Sequence, residues 1–487
     1  MSRIHIGSTG QNPGVATVFK WVGSRLGAGL IVAFTGAFAP IPAFAETLAD
    51  ALADAYKNSG LLEQNRALLR AADEDVAQAK ANLRPIINWS AETSYIYSRS
   101  VDFFGNDTVD DSANLDVGLT ANLLLYDFGR SKFQVESTKE VVLATRQTLL
   151  AIEQQVLFRA VRAYMNVRRN IEIVALRRNN LRLLQEELRA ARNRFEVGEV
   201  TRTDVAQAEA RLASARSGLA NAERDLAQAR EEFVVAVGRS PTGLDSPGEP
   251  YPVNYDQATA KQLASQQHPD VRRFQHELSA AQLNIRAAEA AMRPTVNLTG
   301  QLGVREELGG SDFSRNGSVG VELTGPIYRG GALNSIRRQA MAQRDATVGE
   351  LRLATLDVRQ SVGDAYAALE AAQQALVSSR EQVRAARVAF EGVREEARLG
   401  ARTTLDILDA EQVLLNAQAD QISADADIHI AAYNIIASVG QLTTRELNLD
   451  VPTYDPAAYY NLASEAPSTI SPEGKKLDRV LRALGKD

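Results

Sequence analysis

The chain contains no cysteine and only four histidines, His5, His268, His276 and His429. Without cysteine there are no disulfides, zinc knuckles, thiol chemistry or lipid-modified cysteine. Four scattered histidines argue against a transition-metal site. Aromatic residues are scarce at 6%, and alanine leads the 45% apolar share. Small side chains fill a deep globular core poorly but suit helices packed at close range. Long apolar runs are nearly missing. Only one comes near spanning length, which excludes a multi-span helical membrane protein. Neither sign of charge dominates, with 54 basic and 60 acidic residues. That balance argues against a nucleic-acid partner. G-x-S-x-G, G-x-x-x-x-G-K-[ST] and H-E-x-x-H are all missing, so nothing points to an enzyme or a cofactor.

The first 45 residues read as a targeting segment. They hold Arg3, Lys20 and Arg25 but no acid, then an apolar stretch from Leu26 to about Phe38. Ala43-Phe44-Ala45 offers a small-x-small cleavage site before Glu46. The alternative, a membrane anchor, fits poorly with Pro40 and Pro42 near the end of the run. The cleaved chain is expected outside the cytoplasm.

The remainder is one unit written twice. Arg84-Pro85 recurs as Arg293-Pro294. A constant spacing of 202 residues then relates Tyr126 to Tyr328, Gly129 to Gly331, Tyr164 to Tyr366 and Gly198 to Gly400. It also relates Asp204 to Asp406, Glu209 to Glu411 and Gly238 to Gly440. The boundaries fall at 1–45 for the signal and 46–240 for the first repeat. A linker covers 241–256, the second repeat 257–449 and a Pro/Ser-punctuated tail 450–487. Two long copies indicate duplication, not a solenoid of short repeats.

Each copy predicts very long helices. No glycine or proline interrupts the chain between Gly129 and Gly198, room for a rod of about 100 Å. Val142, Leu149 and Val156 are seven apart, and so are Val167, Val174, Leu181, Leu188 and Phe195. The two runs differ in phase by four residues, a stutter in a coiled-coil seam. A second helical stretch spans 199–237, broken at Gly218, and its twin spans 401–439. Gly198 and Gly400 are expected turns.

The segments of variable length alternate like strands. One face carries Leu115, Val117, Leu119, Val319, Val321, Leu323 and Ile327; the other carries Asn114, Thr120, Ser318 and Thr324. Trp89, Tyr95 and Tyr97 mark the first strand, and Val296, Leu298, Leu302 and Val304 the third. Polar turns are expected at 102–112 and 305–317. Runs of roughly ten to twelve residues match transmembrane β-strands. The alternative is a half-buried soluble sheet, but no other apolar element is there to cover it. Four strands cannot close a barrel and an open edge is not tolerated in lipid, so several chains must share one. Two chains give about eight strands, whose lumen side chains fill, and three give about twelve, enough for a passage if the chain conducts.

This order of signal, helix, Arg-Pro, hairpin, Tyr-x-x-Gly, long helix and Gly-x-x-x-x-x-Asp helix, given twice, resembles the TolC-type outer-membrane channel family. The resemblance covers Glu46 to Leu449 and is most specific at Gly400-Ala-Arg-Thr-Thr-Leu-Asp-Ile-Leu-Asp-Ala410. It implies an α+β, mainly α fold: a coiled-coil helical tunnel in the periplasm joined to a twelve-stranded β-barrel shared by a homotrimer. It implies a passive exit duct with no catalytic residue, working with a periplasmic adaptor and an inner-membrane transporter of ABC or RND type. Type I protein secretion is the cargo expectation, with drug and small-molecule efflux as the alternative. A soluble periplasmic coiled-coil adaptor is the alternative from another class.

The resemblance also assigns residues. Asp406 and Asp409 would line the periplasmic entrance as a negative ring able to attract cations weakly. Arg402 would clamp the closed state through Thr203 and Asp204. Val197-Gly198 and Leu399-Gly400 would be the tips that meet the adaptor. Gln207 stands in the first repeat where the second has Asp409, and Ala397 replaces a tyrosine of the family's clamp.

Overall fold

The computed structural model describes residues 46–452, 454–465 and 471–483. The expected signal over 1–45 lies outside them.

The first repeat comprises helices α1 (Leu48–Asn58) and α2 (Gly60–Ala81), strands β1 (Ile86–Val101) and β2 (Asp107–Tyr126), then α3 (Arg130–Glu196) and α4 (Arg202–Val237). The second repeats this order as α5 (Gln257–Gln267), α6 (Pro269–Ala290), β3 (Thr295–Glu307), β4 (Phe313–Thr324), α7 (Ala332–Arg398) and α8 (Thr404–Val439). The tail forms two short helices, α9 (Pro456–Glu465) and α10 (Pro472–Ala483).

Helices α3 and α7 each run for 67 residues, about 100 Å. A helix this long is held by its apolar seam and not by propensity alone. Val142, Leu149, Val156, Val167, Val174 and Leu188 are buried as the seven-residue spacing requires, whereas Phe195, next to the tip, is exposed. Helix α4 passes through Gly218 without the expected interruption. One glycine costs a helix about 1 kcal/mol. Burial of Leu212, Ala222 and Leu226 on the same helix outweighs that.

Tyr164 and its repeat counterpart Tyr366 act as clips near the middle of the long helices. The Tyr164 hydroxyl lies 2.9 Å from the Glu46 carbonyl and 2.8 Å from that of Asp245. Tyr366 donates to the Tyr255 carbonyl at 2.6 Å. These bonds fasten the linker to the rods. The tail is fastened similarly: Tyr459 donates to Glu74 at 2.7 Å, and the Arg66 and Arg146 guanidiniums lie over the rings of Tyr454 and Tyr460.

The four strands form one antiparallel sheet in sequence order. They are longer than their alternation suggested. Strand β2 starts at Asp107 because the Asp102 carboxylate accepts from the backbone N–H of Phe104 and Asn106, closing the hairpin within a few residues. The second hairpin is also short, with β3 reaching Glu307 and β4 starting at Phe313. Ile327 lies beyond β4, after Pro326, which cannot donate to a ladder. The register segregates the faces. Trp89, Leu119 and Leu302 pair in a row, as do Val296 with Leu323 and Leu298 with Val321. On the other face Asn88, Thr120, Gln301 and Ser318 align, and Asp116 bonds Arg305 at 2.6 Å. The outer edges of β1 and β4 have no strand partner among the described residues.

Helix α7 is barer than α3. Leu353, Leu356, Val377 and Val388 stand exposed along it, at 54–64%.

Candidate functional site

At the end away from the sheet, each long helix turns into its shorter partner through a glycine. Gly198 and Gly400 have φ of 83° and 81°, a left-handed conformation that side chains with a Cβ resist. No other atom lies where a Cβ would go, so backbone conformation is what requires glycine there. Beside them Val197 and Leu399 are 72% and 80% exposed. Two large apolar side chains thus sit bare at the tips, where a water-facing loop would carry polar ones.

After each turn the next helix opens with the same device. The Thr403 hydroxyl accepts from the Asp406 N–H at 3.3 Å, and the Asp406 carboxylate accepts from the Thr403 N–H at 2.9 Å and hydroxyl at 2.8 Å. Thr201 and Asp204 repeat this with matching distances. Both are capping boxes, in which the two residues satisfy each other's orphan groups. The Thr403 N–H and hydroxyl, and then Arg402, hold the Asp406 carboxyl below its ordinary range. The Thr201 hydroxyl and N–H do the same for Asp204. Capping is a role of Asp406 and Asp204 beyond the ring and the clamp that the resemblance implies for them. Its signal was present as Thr-x-x-Asp directly before an apolar run.

The other residues of the region take separate partners within the chain. Asp409 is ion-paired with Arg211 of α4. Arg402 donates to Glu396 at 2.8 Å. Thr203 is exposed. A cleft of about 820 Å³ between the two hairpins is lined by Asp204, Arg402, Ala397, Gly400 and Arg194, among others. The structure therefore brings Asp204 and Arg402 to one cleft, with neither bonded to the other. Two residues after Asp409, Glu411 is 5% exposed and accepts from the Asn180 amide at 2.7 Å. Burial pushes its carboxyl up to about 7, against the Asn180 bond; Glu187 of α3 adds to the rise and Arg394 of α7 opposes it. Its counterpart Glu209 is exposed and paired with Arg192. Spacing alone did not single out Glu411.

Paired hairpin rods, a four-stranded sheet with one apolar face, and glycine-turned tips are the parts of an outer-membrane channel. Residues 51–239 and 260–441 match the family described as outer membrane efflux protein. The chain is 35% identical to the outer membrane efflux protein BepC of Brucella suis over 453 residues, covering 92% of this chain and 97% of that one. It is 26% identical to the outer membrane protein TolC of Escherichia coli, over 83% of this chain and 84% of that one. The crystal structure of the Campylobacter jejuni CmeC outer membrane channel shares the fold, with a TM-score of 0.72 at 17% identity, covering 86% of this chain and 89% of that one. The chain belongs to the outer membrane efflux protein family, as its TolC-type resemblance implied. It is an outer-membrane efflux channel with a long helical periplasmic tunnel.

Proposed function

We propose that three copies of the chain assemble into one passive duct through which a tripartite machine exports its cargo. The observation that carries this is the open sheet. Four strands with one apolar face and two unpaired edges are not viable in lipid until closed, and three copies close them at about twelve strands. No described helix is long and apolar enough to cross a membrane. The bare apolar residues of α7 support a neighbouring copy at that flank. Val321→Arg, on the apolar face, should destabilise the barrel by about 2–4 kcal/mol, with Thr324→Arg far milder. Equal damage on both faces, measured by heat-modified mobility of the assembled protein, would mean a soluble sheet or an adaptor.

The tips are the entrance. In this reading Asp406 and Asp409 form a negative ring that concentrates cations. Arg402 clamps the closed state against Thr203 and Asp204, and Val197-Gly198 and Leu399-Gly400 dock a periplasmic adaptor that links an ABC or RND-type inner-membrane transporter. The exposed Val197 and Leu399 support the docking surface, and the shared cleft supports the clamp. Because Asp406 also caps α8, the ring is best tested by Asp409→Asn alone and with Asp406→Asn. Cation selectivity in planar bilayers should fall in both; unchanged selectivity would return the carboxylates to capping and ion pairing. The cargo reading is type I protein secretion. Small-molecule efflux is the second, favoured by the description of BepC as an efflux protein. Deleting the gene should change the secreted protein profile in the first case and drug susceptibility in the second.

A further inference from the structure

Where the sheet meets the rods, α6 runs between the first turns of α3 and α7 and leaves a cleft of about 580 Å³. Arg130, Arg293 and Arg329 line it, with the Asn284 amide and the apolar Leu333 and Ile336; no Asp or Glu does. Arg130 and Arg329 have no ion pair or side-chain hydrogen bond among the described residues, and Arg293 only lies over the Phe128 ring at 5.6 Å. Nearby carboxylates are already engaged. Asp127 accepts from the N–H of Gly129 and Ser131, and Glu289 accepts from Arg337 at 2.8 Å. The repeats differ here: Arg329 stands where the first repeat has Asp127. The second copy therefore has a cation where the first has a buried acid, and the Glu322 carboxylate beside the cleft accepts from the Thr324 hydroxyl at 3.0 Å.

The cleft opens on a definite side. Thr295 and Thr324, which line it, belong to the polar strand face with Asn297 and Glu322, opposite Val296 and Leu323. In a barrel whose apolar face meets lipid, that is the water-filled side. Guanidiniums bind carboxylate, phosphate and sulfonate groups through paired N–H donors, and apolar walls beside them accept a hydrocarbon body.

We propose that this cleft is a transit site for amphiphilic anions, holding an anionic head on Arg130, Arg293 and Arg329 and an apolar body on Leu333 and Ile336 as cargo passes from tunnel to barrel. The inference rests on the duct reading. The test uses the full assembled protein in planar bilayers of zwitterionic lipid, with anilinonaphthalene sulfonate as probe and inorganic phosphate as an anion without an apolar body. The sulfonate should reduce the current, with phosphate at least tenfold weaker. Arg293→Gln with Arg329→Gln should weaken the sulfonate block at least tenfold, Arg329→Lys should retain most of it, and Arg337→Gln, outside the cleft, should leave it unchanged. Leu333→Ser with Ile336→Ser should weaken block by the sulfonate without altering that by phosphate. Block of the double arginine variant equal to that of the unaltered channel would overturn the site. Relief of block by added phosphatidylglycerol would assign the cleft to a lipid headgroup and overturn the transit reading. A protein that forms no channel would instead refute the duct itself, so the two failures are distinguishable.

Discussion

The two repeats share a scaffold and differ in where they put charge. Both have a 67-residue rod, a left-handed glycine turn, a Thr-Asp capping box and a tyrosine clip. Yet Glu209 is an exposed partner of Arg192, whereas Glu411 is buried against Asn180. Gln207 becomes Asp409, and Asp127 becomes Arg329. Duplication preserved what backbone geometry demands. Charged side chains that do not set helix length or turn conformation differ between the copies, and the second repeat carries Asp409 at the proposed entrance and Arg329 at the proposed transit cleft.

The largest expected contrast lies at the clips. Tyr164 is fully buried with two carbonyls in reach, while Tyr366 is partly exposed and bonds one. Tyr164→Ala should cost about 3–5 kcal/mol, as for other large buried aromatics, and Tyr366→Ala clearly less. Urea midpoints of the assembled protein would decide; equal losses would show that the linker is held identically in both repeats.

The next contrast concerns pH. Folding raises the Glu411 carboxyl from 4.5 to about 7, because burial disfavours the charge. The folded chain therefore binds that proton more tightly than the unfolded chain. The stability so gained is full below about pH 4.5 and is lost as pH rises through about 7, a fall on the order of 3 kcal/mol. Glu411→Gln should flatten this slope between about pH 4.5 and about pH 7, and Glu209→Gln should not. An unchanged slope in Glu411→Gln would place the titration elsewhere.

Smaller effects test what the repeats share. Thr201→Ala and Thr403→Ala should each cost about 1 kcal/mol, and equally, since the two caps have matching geometry. A twofold difference in the two losses would mean that one tip is braced by something beyond its cap. Smallest of all, Arg211→Ala removes a half-exposed ion pair to Asp409 and should shift stability by only a few tenths of a kcal/mol. A loss above about 1 kcal/mol would make that pair a structural bond of the second repeat.

Rods, turns and strand faces were legible because each is set by local periodicity. The run between Gly129 and Gly198, free of glycine and proline, defines α3 to within a residue or two, and the repeat spacing carries the same bounds to α7, which passes through Gly349, Gly363 and Gly392. Alternation at Leu115, Val117 and Leu119 identified β2, but it fades towards Asp107, so the strand's length was hidden. The clips at Tyr164 and Tyr366 and the seat of the tail on Glu74 and Arg66 join residues far apart in the chain, which no local pattern reveals. At the tip, the paired carboxylates were visible, but their partners were not. Thr403 competes for Asp406, Arg211 for Asp409 and Glu396 for Arg402, and only packing decides which bond forms.

The most direct test of the shared barrel is the mass of the protein extracted from outer membranes, measured in detergent by native mass spectrometry alongside its β-sheet content. Three chains in one particle that retains its sheet are predicted. A stable monomer or dimer with the sheet intact would contradict a barrel built from three open sheets.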